Sequence, residues 1–283
     1  MKKKTLLAVL CIVLAGAMLF AFASCGGTGT GTTTAAPEGG DTVVEDLAYV
    51  TGKGELIIGI TYYEPMNYLD DNNELTGFET EFAKAVCEKL GVTAKFQEIN
   101  WSAKETELNA KNIDCIWNGM TIDEDRKTNM SISVPYMANK QVLVVKADKA
   151  DLTSVDGLTV VAEKESAGET VATSDAFFEK ANYTAVDTQA KALMEVASGT
   201  ADACVVDYVC SIGMIGEGTD YANLKVLESQ AFNNEEYGIA FRKGSDLTAK
   251  VNEAIQALAD DGTLATLAEK YNLSEQLLVK PAA

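Results

Sequence analysis

The residues best equipped to hold a charged ligand lie between Asp114 and Arg126, which reads Asp-Cys-Ile-Trp-Asn-Gly-Met-Thr-Ile-Asp-Glu-Asp-Arg. Cys115 to Trp117 is a short apolar run of the kind that forms a buried strand. Asn118-Gly119 then breaks regular structure and bares backbone groups. Thr121 adds a hydroxyl and Arg126 a guanidinium. The chain has two arginines, Arg126 and Arg242, against 21 lysines. A guanidinium is a planar fork that grips a carboxylate bidentately, which an ammonium cannot do. The spacing therefore predicts that Arg126 holds a ligand carboxylate at the end of that strand. A plainer reading stays open: a surface arginine in a charged turn, paired with Asp123, Glu124 and Asp125.

The elements that would position these groups follow a repeating order. Leu56–Ile60 reads as a buried strand, and Thr61–Asn67 as a loop with two exposed aromatics, Tyr62 and Tyr63. Thr76 and Glu79 have the spacing of a capping box. The stripe Phe78, Phe82, Ala85, Val86 and Leu90 predicts a helix closed by Gly91. Val92–Gln97 is a second strand, Ser102 and Glu105 a second capping box, and Ile113–Trp117 a third strand. Strands alternating with helices imply parallel pairing in an α/β layer. The pattern resets after Pro135. Strands are expected at Gln141–Val145, Leu158–Ala162, Tyr183–Val186 and Ala201–Val206, the last delivering Asp207 at its carboxyl end. Ser166 and Glu169 open one helix and Asp187 caps another. Leu224–Leu227 and Gly238–Phe241 are the last strands, and Leu247 to Leu258 stripe a long final helix.

This order predicts two α/β lobes, the second inserted in the first and joined to it by two strands that form a hinge. Lobe I comprises 46–140 and 228–283, and lobe II comprises 141–227. Open α/β sheets bind ligands at the carboxyl ends of their strands, so two facing lobes would share one cleft.

Ahead of the lobes, Met1–Ser24 has a positive start, an apolar stretch from Leu6 to Phe22, and small residues before Cys25. This reads as a lipoprotein signal peptide, 1–24, with Cys25 lipidated; an ordinary secretory signal or an uncleaved anchor helix is the alternative. Residues 25–45, rich in Gly and Thr, form a flexible tether. The net charge of −19 disfavours nucleic acid and anionic lipid surfaces as partners. The chain has no histidine, which excludes His-based triads and His-ligated zinc. Cys87, Cys115, Cys204 and Cys210 have no metal-ligand spacing. They read as buried free thiols, with disulfides Cys87–Cys115 or Cys204–Cys210 as the alternative. No metal and no cofactor is expected.

Four motifs in order, Gly77-Phe78-Glu79-Thr80-Glu81-Phe82-Ala83, Asn118-Gly119-Met120-Thr121 with Arg126, Ala201-Asp202-Ala203 leading to Asp207, and Tyr237-Gly238-Ile239-Ala240-Phe241, resemble an extracytoplasmic solute-binding protein of the polar amino-acid type. Such a protein is the capture component of an ATP-driven (ABC) importer, with a periplasmic-binding-protein-like fold. The resemblance spans about residues 50–275. It implies that Arg126, the Thr121 amide and hydroxyl, and Ser166 and Ala167 take the α-carboxylate of a small amino acid. Asp207 and backbone groups of Asn118 and Gly119 would take its ammonium, and Tyr63 and Trp101 would sandwich it. Thr61 stands near a position where many relatives carry an acid. Glu163 stands where the ligand side chain is often met, and would suit a basic or amide-bearing ligand. The implied partners are an amino acid, a membrane permease, and the outer face of the cell membrane through Cys25; the protein is expected to be a monomer and not an enzyme. The alternatives are an enzyme on the same fold, such as a dehydratase of a cyclic carboxylic acid, or a sensory module.

Overall fold

A computed structural model of the protein describes residues 43–282. The leader, Cys25 and most of the tether lie outside the described residues. The first lobe opens with α1 (Asp46–Lys53), β1 (Glu55–Ile60), a small hairpin of β2 (Tyr68–Leu69) and β3 (Leu75–Thr76), α2 (Phe78–Leu90), β4 (Thr93–Glu98), α3 (Lys104–Asn109), β5 (Cys115–Ile116), α4 (Glu124–Asn129) and β6 (Met130–Ile132). The chain leaves along β7 (Met137–Lys146). It then builds β8 (Thr159–Glu163), α5 (Ala167–Ser174), β9 (Asn182–Val186), α6 (Gln189–Ser198), β10 (Ala203–Asp207) and α7 (Tyr208–Met214). It returns along β11 (Leu224–Tyr237) and finishes with β12 (Ala240–Arg242), α8 (Leu247–Asp260) and α9 (Thr263–Lys270).

Two five-stranded sheets result, in the orders β4-β1-β5-β12-β6 and β11-β7-β10-β8-β9. In the first, β1 lies between β4 and β5 and is parallel to both; in the second, β8 is parallel to β10 and β9. The strands read as continuous apolar runs because helices cover the sheets: β10 is buried along its whole length and β7 almost so. The two connections pair with each other. β7 and β11 run antiparallel from Met137 opposite Tyr237 to Lys146 opposite Leu224, with register shifts between. The separate strand expected at Leu224–Leu227 is thus one end of a 14-residue strand.

Several local expectations fail for a shared reason: a side chain can find a better partner than its own helix end. Thr76 belongs to β3, and no side chain caps α2. Glu79 turns inward and is buried. Asn100, not Ser102, caps the short turn before α3. Thr188, not Asp187, caps α6. Ser166 does cap α5, accepting from the Glu169 amide at 3.1 Å. Tyr63, expected to be exposed, is buried. All four cysteines from Cys87 onward are free and buried. Arg242 has a structural task. It grips Asp46 at 2.9–3.0 Å and donates to the Leu108 and Ile113 carbonyls, fastening α1 to the first lobe.

Candidate functional site

A narrow, nearly closed cleft, with free space of only about 10 Å³, lies between the lobes, lined by Trp101, Asn118, Gly119, Thr121 and Arg126 from the first and by Glu163, Ser166, Ala167, Gln189 and Asp207 from the second. Arg126 sits in the first turn of α4. Its Nη1 donates to the Thr121 carbonyl at 2.7 Å, and its Nε faces Asp123 at 3.2 Å. It is only 7% exposed, so of the two readings the surface arginine does not describe it, although Asp123 is a genuine partner. Lys104 lies beside it, also buried, with its Nζ 4.8 Å from the Trp101 ring centroid. Burial, and then the Arg126 charge, lower the Lys104 ammonium to about 8. Both cations reach across to the Glu165 carbonyl of the other lobe, Lys104 at 3.2 Å and Arg126 at 3.5 Å.

On the second lobe, the first residues of α5 come to the same end of the cleft. Ser166 is spent capping with its hydroxyl, which leaves the opening amides of the helix without intrahelical partners, a natural anion site. Glu165, in a left-handed conformation with φ 58°, turns the chain from β8 into this helix.

The opposite side of the cleft is acidic. Asp207 ends β10 and is 5% exposed. Its Oδ1 accepts from Asn139 at 3.0 Å and from Gln141, and its Oδ2 from Gln189 at 2.5 Å. Burial raises its pKa, and these hydrogen bonds work against the rise. Its hydrogen-bond partners are neutral amides, so its charge has no cation to meet among them. Glu163, at the end of β8, is 3% exposed, and its Oε1 has no hydrogen-bond partner among the described residues. Burial first, and the Asp207 charge second, push it up to about 8, against the pull of Lys104 and Arg126.

Nine of the residues singled out from sequence line this one cleft, and two do not. Thr61 lies behind it, exchanging hydrogen bonds with the Asn118 side chain at 2.9 and 2.6 Å. Tyr63 lies beneath the floor, under Gly119. Gly119 has φ +56°, and a Cβ there would fall 1.8 Å from the Tyr63 hydroxyl, so only glycine fits. The Thr121 hydroxyl donates to Glu235 at 2.8 Å; its backbone amide is the donor left for a ligand. Gln189, Lys104, Asn139, Gln141 and Glu235 were not anticipated. Asn139 and Gln141 left a trace, as polar residues two apart, and so on one face, just before the apolar run Val142–Val145 of β7. Gln189 left none.

Two α/β lobes joined by a pair of hydrogen-bonded strands, enclosing a polar cleft with cations at one end and acids at the other, define a two-lobed ligand-binding protein. The description of the bacterial extracellular solute-binding proteins, family 3, matches residues 56–274, and the chain belongs to that family. Among its relatives, the L-cystine-binding protein TcyJ of Escherichia coli K12 is 30% identical over 233 residues, covering 80% of this chain and 85% of the relative. The arginine-binding extracellular protein ArtP of Bacillus subtilis is 27% identical over 276 residues, covering 94% and 98%. Among solved structures, the ancestral amino acid-binding protein AncCDT-1, a precursor of cyclohexadienyl dehydratase, has a TM-score of 0.72 at 32% identity, covering 80% of this chain and 99% of that one.

Proposed function

We propose that this protein captures an amino acid outside the cytoplasm and hands it to the permease of an ABC importer, working as a monomer tethered to the membrane through lipidated Cys25. The reading rests on one observation: Arg126 and Asp207 line the same cleft from opposite lobes. Arg126, the Thr121 amide and the opening amides of α5 take the ligand carboxylate, and Asp207 with the Asn118–Gly119 backbone takes the ammonium. A zwitterion leaving water loses hydration at both poles, and opposite charges at matched distance offset that loss. Trp101 covers one face of the ligand. Glu163 and Gln189 meet its side chain; a cationic group against Glu163 would favour the ionised carboxylate that burial opposes. The names of TcyJ and ArtP, cystine- and arginine-binding, support this class of ligand. Ligand bridging both lobes supplies the differential free energy that favours closure, and the closed form is what the permease reads.

The test is a thermal-shift screen of the purified protein against the twenty L-amino acids and L-cystine. A ligand at a hundredfold its Kd should stabilise by about 2.7 kcal/mol; no shift with any of them would refute the reading. Glu163, a buried acid pushed toward neutrality, is also the group a proton-transfer enzyme would need. Chromatographic recovery of the bound amino acid unchanged separates capture from catalysis.

A further inference from the structure

Beneath the cleft floor lies another buried acid. Glu79, on the first turn of α2, is 1% exposed, and no lysine or arginine pairs with it among the described residues. Its Oε1 accepts from the Gly119 amide at 2.8 Å and from the Tyr136 hydroxyl, and its Oε2 accepts from Asn67 at 2.8 Å. Asn67 also donates to the Asn118 side chain at 3.1 Å, whose remaining polar atom is held by Thr61. Both polar atoms of the Asn118 side chain are thus engaged below the floor, and the backbone of this residue is what faces the cleft. A trans peptide is planar, with N–H and C=O on opposite edges. Drawing the Gly119 N–H down toward Glu79 turns the Asn118 carbonyl up. Neither the Asn118 nor the Gly119 carbonyl accepts a hydrogen bond among the described residues.

We infer that Glu79 is a positioning residue for the ammonium end of the cleft: by holding the Gly119 amide from below, it aims the carbonyl edge of the Asn118–Gly119 turn at the ligand. This rests on the amino-acid reading above. Ionisation matters to the task, because an amide hydrogen bond to a carboxylate is roughly twice as strong as one to a neutral acid. A protonated Glu79 can still donate to the Tyr136 hydroxyl, which turns to accept, but it grips the Gly119 amide less firmly. The groups facing it are the Tyr136 hydroxyl, with Tyr63 and the Asp207 carboxylate nearby. Burial, with Asp207 adding to it, moves Glu79 up to about 7, against the three hydrogen bonds that favour its charge.

The experiment compares wild type with Glu79→Gln. The probe is whichever of the twenty L-amino acids or L-cystine gives the largest wild-type thermal shift, titrated calorimetrically between pH 6 and 8. The expected result is at least tenfold weaker binding by the variant at pH 8. Wild-type affinity should fall as pH drops through about 7, and that part of the pH profile should be missing in the variant. Binding within twofold of wild type, or an unchanged pH profile, would overturn the inference. A second measurement, on wild type alone and without ligand, covers a variant that fails to fold or a panel with no binder. The Gly119 amide resonance in a ¹⁵N NMR titration should move with a midpoint near 7, and a resonance that stays fixed from pH 5.5 to 8.5 would refute the contact's role. A panel without a binder refutes the amino-acid reading itself, which keeps the two failures distinct.

Discussion

Replacing Glu163 by glutamine should make the ligand-free protein more stable, by a margin that opens as pH rises above about 4.5 and is full by about pH 8. Glu163 is buried in the cleft with one carboxyl oxygen unpartnered, and its pKa rises from an ordinary 4.5 to about 8. The folded state therefore binds more protons than the unfolded chain across that interval. The stabilisation from a protonated Glu163 is complete below the unfolded value and is lost as pH rises through about 8. At 1.36 kcal/mol per pKa unit, the full loss is on the order of 5 kcal/mol. For a domain of this size each kcal/mol moves Tm by roughly 2–4 °C. The assay is calorimetric unfolding of both proteins from pH 4 to 9. Below pH 5 the two Tm values should coincide within a few degrees. By pH 9 the variant should lie above wild type by at least 5 °C. Burial also raises Glu79, Asp207 and Glu235, so both curves slope and the difference between them is the quantity that matters. Parallel curves would mean that Glu163 is hydrated or paired in solution, and the account of an unsatisfied acid in the cleft would fail.

Arg126→Ala and Arg126→Lys should both cut the amino-acid stabilisation from about 2.7 to below about 1 kcal/mol at the same ligand concentration, a loss of at least about thirtyfold in affinity at the 2–5 kcal/mol typical of an unpaired buried charge; binding by the lysine variant within threefold of wild type would contradict a bidentate grip. Gly213 of α7 lies against the loop after β1, where an added Cβ would fall 2.5 Å from the Pro65 nitrogen. Gly213→Ala should therefore oppose contact between the lobes at a cost of about 1–3 kcal/mol, seen as faster ligand dissociation in stopped flow; an unchanged rate would show that this contact is not part of closure. Burial pushes the Cys87 thiol up to about 12 and raises Cys115, Cys204 and Cys210 as well. Iodoacetamide at pH 8 should leave all four unlabelled in the native protein and label all four in guanidinium, as read by peptide mass spectrometry; native labelling of any of them would show that its burial is transient.

Much of this architecture was legible in the chain because burial writes itself into composition. The apolar runs at Leu56–Ile60 and Ala203–Val206 are strands, and the stripes on α2 and α8 are the buried faces of helices. Residues ending such runs are carried to the carboxyl edge of a sheet, which is why Asp207 could be found, whereas Glu163 was singled out through the family resemblance. Other residues left weaker signals. Glu79 fits a capping box by spacing, and only tertiary structure reveals Gly119 and Tyr136 as better partners. Tyr63 reads as an exposed loop aromatic until the glycine above it is seen to leave room for its ring. Gln189 reaches Asp207 from 18 residues away, a contact that follows from the crossing of α6 over β10 rather than from any local pattern.

The hinge is where the ends of the cleft are tied together. Glu235 on β11 accepts from the Thr121 hydroxyl on the carboxylate side and from Asn139 and Gln141 on β7, at 2.8–3.1 Å. Those two amides donate in turn to Asp207 on the ammonium side. One half-buried acid on one connecting strand thus shares its donors with the acid at the far end of the cleft, through side chains of the other strand. Its pKa is raised by burial and then by the Asp207 charge, so each acid's ionisation disfavours the other's. An ammonium seated against Asp207 would relieve that repulsion and favour Glu235 as the full acceptor for Thr121 and both amides. On the proposed reading, ligand charge at one lobe would be felt at the strand pair and at the opposite grip through these shared hydrogen bonds.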